Sequence, residues 1–148
     1  MSAASNPDLV QLVGSWCLRS IVLTFTDTNE SVEPLGPDPD GRMVLMPNGR
    51  VMFLFTKRNR APPTNEAERA TLFNETVAYA GLVRPDGPGR FITAVDVALH
   101  PAWASEQLRS CTIDGDRLTI RTPEQTIPQF PGRTRISEVV FVREHPAS

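Results

Sequence analysis

The sequence predicts an all-β fold, an eight-stranded antiparallel barrel with one α-helix at an open end. Three observations indicate this fold. Apolar and polar residues alternate with a period of two along most of the chain, turn-forming segments separate these runs, and one long segment has a helical period instead. The chain has 148 residues, and we expect a single domain over residues 1–148 with loose tails at 1–8 and 144–148.

The first predicted strand covers about residues 15–25 and begins beside Gly14 and Trp16. A period of two divides this strand into one face with Trp16, Leu18, Ser20 and Val22 and another with Cys17, Arg19, Ile21 and Leu23. An indole at this place can plug the closed end of a small barrel, and the glycine beside it allows close backbone approach. The alternative is that Trp16 is simply a core residue, and the two interpretations overlap.

A hairpin is the next predicted element. Apolar residues at 42–46 and 51–56 flank Asn48-Gly49, and Asn-Gly between apolar runs predicts a β-hairpin, because both central residues of its usual turn need positive φ. The segment before it, residues 34–41, contains three prolines and cannot form regular structure. We expect this segment to form an ordered loop over a barrel mouth.

The one long helix is predicted from Glu66 to about Tyr79. Asn65 and Glu68 form a capping-box pattern at its start. The apolar residues that follow at helical spacing are Leu72, Phe73, Val77 and Ala80. This helix could be a lid across the open end, with Phe73 and Tyr79 reaching the cavity, or its apolar stripe could simply cover the core.

The remaining strands are predicted at residues 79–84, 91–99, 106–113, 117–122 and 134–143. Asp114-Gly115 predicts a second tight hairpin, and the proline-rich segment 123–132 predicts a loop. A short turn at residues 9–13, capped by Asp8, is expected to close one barrel end.

Composition excludes several classes of function. The net charge of −2 does not favour nucleic acid or an anionic membrane as a partner. The chain starts without a signal-peptide pattern and has no apolar run of membrane-spanning length, so we expect a cytoplasmic protein. Cys17, predicted to face outward, and Cys111, predicted to face inward, are expected to be reduced thiols. With two histidines and no phosphate-binding glycine loop, we expect no metal and no cofactor.

A series of short motifs runs through almost the whole chain in order: Leu12-Val13-Gly14-Ser15-Trp16, residues 36–41, Pro47-Asn48-Gly49, Tyr79-Ala80-Gly81, Pro101-Ala102-Trp103, residues 106–109, residues 114–118 and Arg133-Thr134. This series resembles the lipocalin-like domain family of small bacterial and fungal proteins. The resemblance implies an eight-stranded barrel with a central cavity. It also implies that Trp16 packs under an arginine of the last strand, a position that Arg143 occupies, in a cation–π contact.

The same resemblance bears on activity. Some related barrels in natural-product pathways act as cofactor-free cyclases or isomerases. Family members often carry histidines in the strand that corresponds to residues 91–99, and this chain has none there. Chemistry that relies on those histidines is therefore not expected.

Three residues are candidates for catalysis: Asp96, Arg109 and His100. If their faces are internal, Asp96 and Arg109 could meet across adjacent strands inside an apolar chamber, Asp96 as a general acid or base and Arg109 as an anchor for an oxyanion or carbonyl. His100, near a strand end, could orient the substrate at the cavity rim or face water. The alternative for Asp96 is a structural ion pair or a position facing solvent.

The predicted substrate-binding residues are aromatic or amide side chains, namely Phe53, Phe55, Phe73, Tyr79, Trp103 and Gln107. Trp103 could stack on a ligand or anchor its own loop. We expect the protein to bind a small, largely apolar organic molecule, as a cofactor-independent cyclase or isomerase of secondary-metabolite biosynthesis. A non-catalytic binding or carrier protein is the alternative, and an interaction module with a filled core is the third possibility. A homodimer is also compatible with the sequence.

Overall fold

The computed structural model describes Ser5, residues 7–126 and residues 131–145. Two α-helices, α1 (Leu9–Leu12) and α2 (Glu66–Asn74), and a 3-10 helix at Pro101–Trp103 accompany nine strands. The strands are β1 (Gly14–Phe25), β2 (Ser31–Val32), β3 (Asp40–Leu45), β4 (Arg50–Thr56), β5 (Thr76–Pro85), β6 (Arg90–Ala98), β7 (Glu106–Asp114), β8 (Arg117–Arg121) and β9 (Arg135–Arg143).

Eight of these strands form a closed antiparallel barrel. They are joined in the order β1-β3-β4-β5-β6-β7-β8-β9, and β9 pairs back onto β1 from Trp16 opposite Arg143 to Phe25 opposite Arg135. The two-residue strand β2 pairs with β1 beside Leu23. The predicted fold class is confirmed, and β2 is a small addition that the sequence did not indicate.

One end of the barrel is closed by Trp16. Its side chain has no solvent exposure, and its indole Nε1 donates a 2.9 Å hydrogen bond to the carbonyl oxygen of Leu12 at the end of α1. The guanidinium of Arg143 lies 4.1 Å from the centre of the indole ring. It also donates hydrogen bonds to the carbonyl oxygens of Gln11 and Val13, at 2.8 and 3.3 Å. The implied contact between Trp16 and the last-strand arginine is confirmed.

A β-bulge in the first strand changes which residues face the interior. Leu18 pairs with Phe141 and Ser20 pairs with Val140, so Arg19 is an extra residue on β1. Ser20 and Val22 were expected on the same face as Trp16, which points inward, and this expectation is therefore wrong. Beyond the bulge, the buried residues of β1 are Ile21, Leu23 and Phe25.

A second bulge lies between β5 and β6. Ala80 pairs with Val97 and Gly81 pairs with Val95, which leaves Asp96 as the extra residue on β6. The backbones approach closely here, because a Cβ atom on Gly81 would lie 2.5 Å from the carbonyl oxygen of Ala94. Glycine is therefore required for this bulge to form without displacing β6.

The predicted helix begins where expected but ends earlier. The side chain of Asn65 accepts a 2.8 Å hydrogen bond from the backbone N–H of Glu68. The helix stops at Asn74, and β5 begins at Thr76, which pairs with Thr56 of β4. The expected extension to Tyr79 is wrong, because pairing with β4 outweighs the local helical pattern. No residue of α2 is buried, so the helix does not cover the core.

The hairpin around Gly49 is confirmed, although its turn differs from the expected one. Gly49 has a φ of 90°, whereas Asn48 is not among the described residues with positive φ. The backbone N–H groups of Gly49 and Met46 close the turn, donating to the carbonyl oxygens of Met46 and Arg50. The proline-rich loop before β3 buries Leu35 at 3% exposure.

Parts of the expected loose tails are held in place. Ser5 forms a two-hydrogen-bond bridge with Ile113, and Glu144 accepts hydrogen bonds from Ser15 and Arg42. The structure therefore corrects the expectation for these residues. Residues 1–4, 6 and 146–148 of the two tails lie outside the described residues. Residues 127–130 of the predicted loop lie outside them as well.

Both cysteines are free, as expected. Cys111 is buried, and burial raises the pKa of its thiol to about 11. In the described part of the chain, no helix has the length and apolar character needed to cross a membrane. The homodimer stays a prediction.

We predict that Arg143→Ala lowers the free energy of unfolding by about 2 kcal/mol, because it removes the cation–π contact and two hydrogen bonds from the closed end. Thermal and urea unfolding followed by circular dichroism measure this loss. Arg117→Ala, an exposed arginine of β8, is the matched control and should leave the melting temperature nearly unchanged. Equal melting temperatures for Arg143→Ala and the wild type would show that the contact does not stabilise the barrel.

Candidate functional site

A cavity of about 260 Å³ lies at the end of the barrel opposite Trp16. It is lined by the second half of β1 and the first half of β9, whereas Trp16 and Arg143 occupy the other ends of those strands. Its apolar lining consists of Ile21, Leu23, Pro34, Leu35, Phe55, Val77, Ala102, Trp103 and Val139. Its polar lining consists of Asn74, Tyr79, Ser105, Glu106, Gln107, Arg109, Thr122, Gln125, Thr126, Arg135 and Ser137.

Arg135 is a buried arginine in this lining, with 5% of its surface exposed. Its Nη1 donates a 3.1 Å hydrogen bond to the hydroxyl of Thr122. When the amide of Gln125 is oriented with its oxygen toward the guanidinium, that oxygen accepts from Nη1 and Nη2 at 3.1 and 3.2 Å. The Nε atom of Arg135 is buried and has no hydrogen-bond partner among the described residues. A buried guanidinium with an unsatisfied donor is energetically costly.

Arg109 lines the same cavity from β7. Its Nη2 donates a 2.6 Å hydrogen bond to the Gln107 side chain, and its Nη1 donates a 2.8 Å bond to the carbonyl oxygen of Leu108. The amide nitrogen of Gln107 in turn donates to the carbonyl oxygen of Trp103 at 3.0 Å. This chain of hydrogen bonds holds the guanidinium of Arg109 and ties it to the 3-10 helix at the cavity mouth.

Tyr79 presents a phenol to the cavity from β5. Its ring packs against Phe53 with the ring centres 4.7 Å apart, and it contacts the edge of Trp103 at 6.4 Å. Burial raises the pKa of Tyr79, while the nearby charge and hydrogen bonding of Arg109, and then the charge of Arg135, act in the opposite direction. The net effect keeps the phenol neutral, so its hydroxyl can donate a hydrogen bond.

The two arginines make the cavity cationic. Burial, and then repulsion from Arg109, lowers the pKa of Arg135 to about 10, with Tyr79 partly opposing the shift. The one carboxylate in the described lining belongs to Glu106, which pairs with Arg84 at 2.9 Å. Among the described residues, no carboxylate lies within ion-pair distance of either cavity arginine.

The structure does not bring Asp96 to the cavity. This residue lies on the outer face of β6, where its carboxylate accepts two hydrogen bonds from Arg50, at 2.8 and 2.9 Å. The Arg50 guanidinium holds the pKa of that carboxyl below its usual range. The expected meeting of Asp96 with Arg109 is therefore wrong, because Phe91 and Thr93 are the buried residues of β6, and the face that carries Asp96 is the opposite, outer one.

His100 and Phe73 are not in the described lining and stand behind the mouth of the cavity. The Nδ1 atom of His100 accepts a 3.2 Å hydrogen bond from the backbone of Ala102, and its ring lies 5.5 Å from Trp103 and 5.7 Å from Phe73. Phe73 is 41% exposed. His100 thus supports the loop that carries Trp103, and Trp103 itself both lines the cavity and accepts a hydrogen bond from Gln107.

The other predicted binding residues divide into two groups. Phe55, Tyr79 and Gln107 line the cavity, whereas Phe53 is buried behind Tyr79 and supports its ring. In the described part of the chain, no group of three or more histidine, cysteine, aspartate or glutamate side chains could hold a metal ion.

Sequence reasoning missed Arg135, Thr122 and Gln125. For Arg135 the signal was present: residues two apart on a strand share a face, so the inward side chain of Phe141 also places residues 139, 137 and 135 inside. Thr122 and Gln125 follow β8 in a loop, where no periodicity indicates direction.

Comparison with known proteins gives one match to a family. A family model described as a lipocalin-like domain matches residues 13–143. No curated protein matches the chain at a significant level.

We predict that Tyr79 in the folded protein titrates at a higher pH than in the unfolded chain, because burial disfavours the phenolate. Tyr79 is the only tyrosine, so tyrosinate absorbance during an alkaline titration reports on this one group. Stability should be complete below the pKa of the unfolded phenol and decrease as the pH rises through the folded value. Arg109→Gln should raise the pKa of Tyr79 further, since it removes the nearest positive charge. A folded-state midpoint at or below that of the urea-unfolded chain would contradict this account.

Proposed function

The chain belongs to the lipocalin-like domain family, and from this premise we propose that it binds a small, largely apolar organic molecule in its barrel and cyclises or isomerises it without a cofactor, in the biosynthesis of a natural product. The observation that carries the proposal is the cavity of about 260 Å³, whose lining combines nine apolar residues with polar ones that include Tyr79, Arg109 and Arg135. Small-molecule sites in proteins combine these two features.

The apolar walls would supply the first part of the chemistry. Phe55, Val77 and Trp103 can hold a flexible apolar substrate in a folded, reactive shape, and positioning of this kind accounts for much of the rate enhancement in unimolecular reactions. The same walls exclude water, which strengthens every electrostatic interaction inside.

Tyr79 and Arg109 would supply the second part. A neutral phenol beside a guanidinium can donate a hydrogen bond to a substrate carbonyl oxygen, while the cation stabilises negative charge that develops on that oxygen in the transition state. A pericyclic cyclisation of a carbonyl-activated substrate forms its new bonds from π electrons, transfers no proton and needs no separate base. Isomerisation by proton abstraction does need one, and Glu106, the carboxylate in the described lining, is already paired with Arg84. This favours cyclisation within the proposal.

The alternative is a non-catalytic binding or carrier protein, because the same cavity and polar groups would hold a ligand without changing it. The buried Arg135 favours this alternative, because its hydrogen bonds to Thr122 and Gln125 hold the guanidinium in one place. A guanidinium fixed in this way can bind a ligand without taking part in a reaction. The two functions differ in what Tyr79 does. An enzyme needs its hydroxyl in the transition state, whereas a carrier uses it for affinity alone.

We predict that the neutral fluorescent dye Prodan binds in the cavity of the wild-type protein. Val77→Trp should abolish the fluorescence increase, because the larger side chain fills the cavity from β5. Val97→Trp is the matched control, since Val97 is 65% exposed on the outer face of β6 and should leave dye binding unchanged. Equal binding by both variants would place the dye outside the barrel, and no binding by the wild type would favour a filled core.

We predict that Tyr79→Phe lowers turnover by about 100-fold or more with little change in substrate affinity, as expected for loss of one oxyanion donor. The assay incubates the protein with linear precursors from the pathway of its neighbouring genes and separates isomeric products by liquid chromatography and mass spectrometry. Tyr79→Phe should melt close to the wild type, which separates chemistry from folding. A wild-type protein that binds a precursor without forming product would identify a carrier instead.

A further inference from the structure

The strongest unexplained feature of the cavity is its charge. Two guanidinium groups, those of Arg109 and Arg135, face one small apolar space without a carboxylate partner among the described residues. The residues outside the described part include no aspartate or glutamate, so all acidic side chains of the protein belong to the described residues. A barrel interior normally avoids an uncompensated charge, because desolvation is expensive.

Arg135 is the clearer case of the two. Only 5% of its surface is exposed, and its hydrogen bonds go to neutral groups on Thr122 and Gln125. Its Nε has no hydrogen-bond partner among the described residues. Arg143, on the same face of the same strand, is stacked on Trp16 and bonded to two backbone carbonyls. The protein thus stabilises one inward arginine of β9 by its own contacts and leaves the charge of the other without a counter-ion.

We propose that the occupant of the cavity is an apolar molecule that carries a carboxylate, and that this carboxylate binds beside Arg109 and Arg135. The inference rests on the proposed function, since it names the class of molecule that the barrel binds. The carboxylate would compensate one of the two positive charges and lie within reach of both guanidinium groups, and the apolar body of the molecule would lie against the walls formed by Leu23, Phe55 and Val139.

The number of donors favours a carboxylate over a phosphate. Hydrogen bonds to Leu108 and Gln107 already occupy two of the five N–H groups of Arg109, and those to Thr122 and Gln125 occupy three of the four terminal N–H groups of Arg135. The Tyr79 hydroxyl is a further donor to the cavity. A carboxylate presents two oxygens to this limited set, whereas a phosphate monoester presents three strong acceptor oxygens and up to two charges.

The test uses three ligands with the same ring system and different head groups: naphthoate, naphthylmethanol and naphthyl phosphate. Affinities for the full-length protein are measured by calorimetry at two salt concentrations. We expect naphthoate to bind about tenfold tighter than the neutral alcohol, as charge-assisted hydrogen bonds would give. Arg109→Gln and Arg135→Met should each remove most of this preference while leaving the affinity for naphthylmethanol within about twofold.

Arg121→Met is the matched control, because Arg121 pairs with Glu138 on the outer surface and should keep the full preference. Replacing a buried, uncompensated arginine by an apolar residue should not lower the melting temperature of Arg135→Met. If that variant does not fold, Arg109→Gln carries the test, since Arg109 is only partly buried.

The possible outcomes distinguish failure of the carboxylate inference from failure of the proposed binding in the barrel. Equal affinity for naphthoate and naphthylmethanol would overturn the carboxylate inference while leaving binding in the barrel intact. A tenfold preference for naphthyl phosphate over naphthoate would identify a phosphate ligand and overturn the carboxylate as well. Failure of all three compounds to bind, together with failure of the dye, would overturn the proposed function itself.

Discussion

The pairing of β9 with β1 is the contact on which the rest of the molecule depends. It closes the sheet into a barrel, and it brings Trp16 and Arg143 together at one end. The indole fills that end, and the cavity of the candidate site lies toward the other end of the same two strands. Strand β9 has no extra residue between Arg135 and Arg143, so both arginines lie on the same face, Arg143 against the indole and Arg135 in the cavity. The position of Arg143 at the closed end and the position of Arg135 in the cavity thus both follow from the register of β9 against β1.

Much of the architecture was predictable because short-range signals and long-range pairing agree. The Asn-Gly turn, the alternation within most strands and the capping pattern at Asn65 all correspond to observed elements. The prediction is wrong where pairing overrides the local pattern: the helix ends at Asn74 because the residues after it pair with β4. Local periodicity contains no information about such a competition.

The candidate site was predictable only in part, for two reasons. One extra residue reverses the inward and outward faces of the rest of a strand, and a sequence does not reveal where the extra residue lies. This reversal brought Ile21 and Leu23 into the cavity lining. Alternation alone also does not say which face of a strand is inward, and on β6 the inward face carries Phe91 and Thr93 and not Asp96. Arg109 and Gln107 were placed correctly because β7 has no bulge against β6 or β8. Arg135 was predictable by the same logic, since β9 contains no extra residue between Arg135 and Phe141 in its pairing with β1.

The electrostatics of the cavity connect binding with catalysis. A guanidinium that is desolvated and uncompensated destabilises the empty barrel, so an anionic occupant is stabilised by the same field. If a carboxylate lies beside Arg109 and Arg135, the Tyr79 phenol next to Arg109 faces the part of the molecule that adjoins the carboxylate. The charge would then serve as the anchor, and the neutral phenol would be the group available to act on the substrate atoms nearest to that anchor. A carrier needs the anchor alone, whereas a cyclase needs both, and Tyr79 is therefore the residue at which the two functions separate.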